Sequence, residues 1–135
     1  MPSIQLTKSA IDLGIVAESA EPMLQFYRDT LGLELEATLP MPGGTTMYRL
    51  TCGETVLKIL IHEQTPTTSA APGGPRGASG IRYFTLSVSN LSEMTETCRE
   101  AGYAVPLGPL EIRPGVNIVM IEDPEGNWLE LLESQ

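Results

Sequence analysis

One unit is written twice in this chain. The stretch from Asp12 to Leu33 reads as a strand, a capped helix and a glycine stop, and something very like it returns from Tyr83 to Gly102. Asp12 and Tyr83 are 71 residues apart, as are Ser19 and Asn90, while Lys58 and Glu130 are 72 apart. A repeat that keeps both element order and register restricts the fold more than any single motif here, because each copy must bury the same faces in the same way.

In the first copy, Ile11, Leu13, Ile15 and Ala17 alternate with Asp12, Gly14 and Val16. This predicts a strand over 10–17 that packs a helix on its apolar side. Ser19 stands where an N-cap is wanted, with Glu21 and Pro22 in the first turn. Met23, Phe26, Tyr27 and Leu31 recur at helical spacing until Gly32 stops the helix. Strands are expected at 33–39, 46–52 and 55–62, with turns at 40–44 and 53–54. On the last strand Thr55, Leu57, Ile59 and Ile61 share the helix side, and Val56, Lys58, Leu60 and His62 share the other.

The second copy begins at Ile81. Phe84, Leu86 and Val88 face the helix; Tyr83, Thr85 and Ser87 face away. Asn90 is the expected cap, with Glu93 completing a capping box, and Leu91, Met94 and Cys98 form the buried helical face that Gly102 ends. Strands are expected at 103–107, 116–122 and 127–133, with a Gly/Pro-rich connection at 108–115 and a turn at 123–126. Residues 64–80, made mostly of Pro, Thr, Ser, Ala and Gly, read as a linker or mobile loop, with a lid as the functional alternative.

At 135 residues and 41% apolar content, the chain suits one compact domain with a core of its own. No apolar run approaches the roughly 20 residues of a membrane span. The first residues, Met-Pro-Ser-Ile-Gln, lack the basic-then-apolar order of a signal peptide, so a cytoplasmic protein is expected. Cys52 and Cys98 form no CxxC and read as two buried thiols in a reducing compartment. A net charge of −9 argues against nucleic acid and anionic membranes as partners and mildly favours cationic or neutral ligands.

Two βαβββ units, Phe26-Tyr27-Arg28-Asp29 with Leu31-Gly32-Leu33, and Asp123-Pro124-Glu125-Gly126-Asn127 near the end together resemble the vicinal oxygen chelate superfamily. That group includes glyoxalase I, methylmalonyl-CoA epimerase, extradiol dioxygenases, and fosfomycin- and bleomycin-resistance proteins. The resemblance runs from about residue 10 to 133. It implies an α+β fold of two tandem βαβββ modules, a curved mixed sheet around a cup with the helices on the outer face. One such domain would fill residues 1–135, with module 1 at about 10–63, the linker at about 64–80 and module 2 at about 81–133. It also implies a homodimer, side by side or swapped, which a mass measurement by light scattering checks.

In the metal enzymes that the chain resembles, ligands project into the cup from the first and fourth strands of each module. Those positions are Asp12, Lys58, Tyr83 and Glu130 here. Histidine is usual at the places held by Asp12 and Tyr83, and Glu or Gln at that held by Lys58, so only Glu130 is a standard ligand. A charged ammonium has no lone pair to give a metal, and a phenol with a pKa near 10 is a poor donor. No cofactor is expected; a divalent metal, if one binds, would use Asp12 and Glu130. His62 lies about 13 Å of strand from Lys58 and reads as a rim residue.

Two acids, an amine and a phenol form either a satisfied network, with Lys58 paired to Asp12 and Glu130, or a catalytic set. In the second case Lys58 supplies the positive charge that a metal gives the relatives, Glu130 or Asp12 acts as base, and Tyr83 acts as acid or donor. Tyr48 or Arg49, together with Asn117, Trp128 and His62, are further candidates for contact with a ligand. Trp128 reads either as packing near the rim or as an aromatic wall. The expectations are therefore a metal-independent isomerase or lyase acting on a small carbonyl-type molecule, a non-catalytic binder of the bleomycin-resistance type, or a divergent metal enzyme.

Overall fold

The computed structural model describes all residues, Met1–Gln135. Element order is β1 (Leu13–Val16), α1 (Ala20–Leu24), β2 (Glu34–Met41), β3 (Thr45–Cys52), β4 (Thr55–Ile61), β5 (Tyr83–Ser87), α2 (Leu91–Glu100), β6 (Leu107–Arg113), β7 (Val116–Glu122) and β8 (Trp128–Ser134). Two compact units result, one of residues 1–28 and 32–66, the other of 29–31 and 67–135. Each carries a four-stranded mixed sheet with the same topology, β1-β4-β3-β2 in the first and β5-β8-β7-β6 in the second. The first and last strands of each unit pair in parallel, the others antiparallel. This is an α+β architecture of two tandem βαβββ modules, as the offsets require.

In the first unit, α1 continues as a π-helical stretch through Gln25–Thr30. Gly32 (φ 84°) then turns the chain, its N–H donating to the Arg28 carbonyl and that of Leu33 to the Tyr27 carbonyl. Met23, Phe26 and Tyr27 are fully buried, as are Leu50 and Ile59 on the sheet face turned to the helix. Burying side chains of this size contributes about 1.5–3 kcal/mol each, which is why the helical spacing was a sound guide. β1 is shorter than expected, and Ile11 lies before it, 80% exposed. Ser19 has the extended backbone of an N-cap, but its side chain makes no capping bond.

In the second unit, α2 buries Leu91, Thr95 and Cys98. The expected box between Asn90 and Glu93 is reduced to a side-chain contact of 3.3 Å. The Leu91 N–H instead donates to Glu133 of β8 at 2.8 Å, a non-local cap that sequence spacing could not reveal. The helix ends at Gly102 (φ 90°), where Tyr103 N–H meets the Cys98 carbonyl and Gly102 N–H the Arg99 carbonyl. Thr95 satisfies its buried hydroxyl on the Leu91 carbonyl.

Three expectations are corrected. Residues 103–106 are not a strand; β6 runs through the Gly/Pro-rich stretch instead. It lies at the sheet edge and its register against β7 is interrupted twice, so a proline without an N–H costs the ladder little there. Cys52 is only half-buried, unlike Cys98, whose thiol burial pushes up to about 11. Residues 64–80 are not structureless: Gly74–Arg76 form a 3-10 turn.

Candidate functional site

Register decides which side chains share a face, since paired residues on neighbouring strands point the same way. In the first unit, Ala37 pairs with Arg49, Arg49 with Lys58, and Lys58 with Gly14. One row across four strands therefore reads small, cation, cation, small. Tyr48 pairs with Ile59, which is fully buried, and so belongs to the helix side; Arg49 is the member of that pair sharing a face with Lys58. In the second unit the matching row is Met120, Glu130 and Thr85. The repeat thus carries cations in one copy and a carboxylate in the other.

Asp12 does not pair with Lys58. Its Oδ1 accepts a hydrogen bond from Lys8 Nζ at 2.7 Å and from the Val56 N–H at 2.8 Å. The Lys8 hydrogen bond, then that of Val56, with smaller help from the charges of Lys8 and Lys58, hold this carboxyl below its usual 3.8 against the opposing effect of burial. A folded-state pKa below the unfolded one means that the contribution to stability is complete above about pH 4 and lost as pH falls through the folded value. Lys8→Ala is expected to move the Asp12 titration up toward 3.8 in carboxyl NMR and leave stability at pH 7 almost unchanged; an unmoved titration would mean that Lys8 is not the partner.

Lys58 is half-buried and forms no ion pair or hydrogen bond with protein atoms. Arg49 meets only Glu36, at 3.9 Å from Nε, beyond hydrogen-bonding reach. Like charges on facing strand positions are unfavourable by up to about 1 kcal/mol. His62 is fixed by a 2.7 Å hydrogen bond between its Nδ1 and the Thr45 hydroxyl.

Glu130 is 9% exposed. Thr85 Oγ1 donates to its Oε1 at 2.7 Å. The second oxygen has no protein partner and is not sealed off, so the carboxylate is oriented and still has an acceptor to offer. Thr85 was legible only as a face residue; its role depends on the parallel pairing of β5 with β8. Tyr83, two residues before it, is 44% exposed. Asn117 pairs with Glu133, the residue that caps α2, and so lies on the opposite face from Glu130. It is removed from the candidate set. An open pocket of about 570 Å³ lies further along the Glu130 face, lined by Ser87, Ser89, Asn90, Leu132 and Ser134 among others.

Trp128 is partly covered by the chain itself. Gly74 (φ 59°) lies against the indole so closely that a Cβ there would overlap the ring. Arg82, unremarked in the sequence, ties this segment down: its Nε donates to the Gly74 carbonyl at 2.7 Å and its Nη2 to those of Ala71 and Pro72 at 2.8 and 3.2 Å. Gly74→Ala is expected to lower stability by about 2 kcal/mol, from overlap and the left-handed backbone together. It should also red-shift the emission of Trp128, the only tryptophan. Unchanged urea midpoint and emission would contradict this packing.

The donor set does not suit a resident divalent metal. Neither unit gathers three or more His, Cys, Asp or Glu side chains in a metal-holding group. Asp12 is spent on Lys8, and Lys58 cannot coordinate while charged. Asp123, buried in the DPEGN phrase, is structural: its Oδ1 accepts from the N–H groups of Glu125 and Asn127 at 2.9 Å, closing the turn between β7 and β8. No helix is long and apolar enough to cross a membrane.

Comparison with known proteins places the fold. A glyoxalase family protein from Bacillus cereus superposes with a TM-score of 0.84 at 18% identity, covering 99% of this chain and 98% of that one. The trypanothione-dependent glyoxalase I of Leishmania major gives 0.71 at 19% identity, over 94% of this chain and 87% of that one. TnmS3, an antibiotic-binding protein from Streptomyces sp. CB03234, gives 0.71 at 21% identity, over 97% and 100%. At such identities the likeness carries the fold and no activity. No curated protein sequence matches the chain. The model of the Glyoxalase/Bleomycin resistance protein/Dioxygenase superfamily matches residues 11–131. With that match over nearly the whole chain, and with both βαβββ modules in register, the protein belongs to this superfamily.

Proposed function

We propose that the protein is a metal-independent acid–base catalyst of the isomerase or lyase type acting on a small carbonyl-type molecule. Glu130, on the second unit, is the base that takes the proton from the carbon next to the carbonyl. The observation that carries this reading is the Thr85-oriented Glu130, which keeps one carboxylate oxygen open for a ligand. Lys58, on the first unit, has no ion pair with the protein, and Asp12 is engaged by Lys8. An oriented base with a free oxygen is what proton abstraction next to a carbonyl requires. Asp12, held as an anion, is a poor base, and Tyr83 remains the candidate donor.

A second reading is a non-catalytic binder of small organic molecules. It is favoured by the open pocket beside the Glu130 face and by the fold shared with an antibiotic-binding protein. Exchange of carbon-bound hydrogen separates the two. Small ketones, 2-oxo acids and thioester-linked carbonyl compounds are incubated with the protein in D2O and followed by proton NMR. Catalysis predicts deuterium at the carbon next to the carbonyl; a compound that binds and is recovered without deuterium favours the binder.

A further inference from the structure

We propose that Arg49 and Lys58 form one anion site, and that the molecule recognised by the first unit carries a carboxylate. This goes beyond the reading given above, since the site stands on the geometry of the first unit alone. Arg49 and Lys58 are register partners on β3 and β4 and so point to one face. Their outer neighbours in the same row are Ala37 and Gly14, so the row itself leaves both cations uncrowded on their outer sides. A Cβ at Gly14 would find only Leu60 Cδ1, at 4.0 Å.

Neither cation is satisfied by the protein. Lys58 has no hydrogen bond or ion pair, and the guanidinium of Arg49, 26% exposed, has one loose contact with a Glu36 that is itself 46% exposed. Half-buried charges ordinarily find partners, and like charges set side by side repel, so an anion between them removes both penalties. In a chain of net charge −9 the pair is a local reversal of sign. The planar fork of arginine matches two carboxylate oxygens, while the ammonium is a point charge suited to a further oxygen such as an adjacent carbonyl. Together they fit a 2-oxo carboxylate better than a neutral ketone or a cation.

The test uses pyruvate and methyl pyruvate, which differ in the charge of the carboxyl end. Backbone amide shifts at Gly14, Ala37, Arg49 and Lys58 are followed by NMR during titration of the full-length protein. Pyruvate is expected to shift them in a saturable way that weakens with added salt, and methyl pyruvate to bind at least tenfold more weakly. Arg49→Met and Lys58→Met should each weaken pyruvate at least tenfold, and Arg49→Lys should recover only part of the loss. Thermal midpoints of both methionine variants should not fall, because repulsion is relieved, which separates loss of a site from loss of the fold. Equal binding of the two compounds, unchanged binding in the variants, or no shift with pyruvate up to 20-fold over protein at millimolar concentration would each overturn the proposal. Binding without deuterium exchange would leave the anion site standing and overturn the catalytic reading instead.

Discussion

Glu130→Gln is expected to abolish deuterium exchange, lowering its rate by about 10²–10⁴-fold, the usual contribution of a positioned general base. The substitution keeps volume and an acceptor for the Thr85 hydroxyl, so the strand pairing of β5 with β8 should survive. What it removes is basicity at the one carboxylate on this face that is both buried and oriented. Thr85→Ala should act in the same direction but more weakly, because it loosens the carboxylate without neutralising it. Full exchange activity in Glu130→Gln, with native thermal stability, would remove Glu130 from the mechanism.

Lys58→Met should weaken pyruvate binding by about tenfold or more, the expected effect of losing one of two cations on a carboxylate. Methionine preserves the length of the stem on β4. Since Lys58 forms no ion pair, and Asp12 keeps its bond to Lys8, no counter-ion is orphaned by its removal. The usual cost of breaking a buried pair, about 3–5 kcal/mol, therefore does not apply, and stability should be unchanged or slightly higher. A large loss of stability in Lys58→Met would show that the ammonium is structurally engaged and contradict the description of it as a ligand-directed charge.

The repeat, the helix faces and the parity of β1, β4, β5 and β8 were legible because each depends on local alternation of apolar and polar residues. The glycine stops at Gly32 and Gly102 were legible for the same reason: few other residues adopt the left-handed backbone found there. What failed depended on contacts distant in sequence. Glu133 capping α2, Thr85 orienting Glu130 and Lys8 taking Asp12 are set by strand pairing or by flanking chain, and spacing alone does not encode them. β6 was missed because glycine and proline usually mark loops, and only its edge position makes them tolerable in a strand. The parity count left Tyr48 and Arg49 undecided, and the pairing of Arg49 with Lys58 resolved it. The same pairing exposed a second cation beside the first, which single-strand alternation cannot show.

The two modules have kept a common scaffold while their matched rows diverged to opposite charge, Arg49 and Lys58 in one and Glu130 with Thr85 in the other. Neither row gathers the donors a divalent metal would need, which is the reason for proposing a metal-independent reaction. The measurement that tests this most directly is the exchange rate of protein treated with chelator and dialysed into metal-free D2O. An unchanged rate is expected, with no gain on adding zinc, nickel, manganese or magnesium ions one at a time. Loss of exchange on chelation and its return with any one of these ions would contradict it.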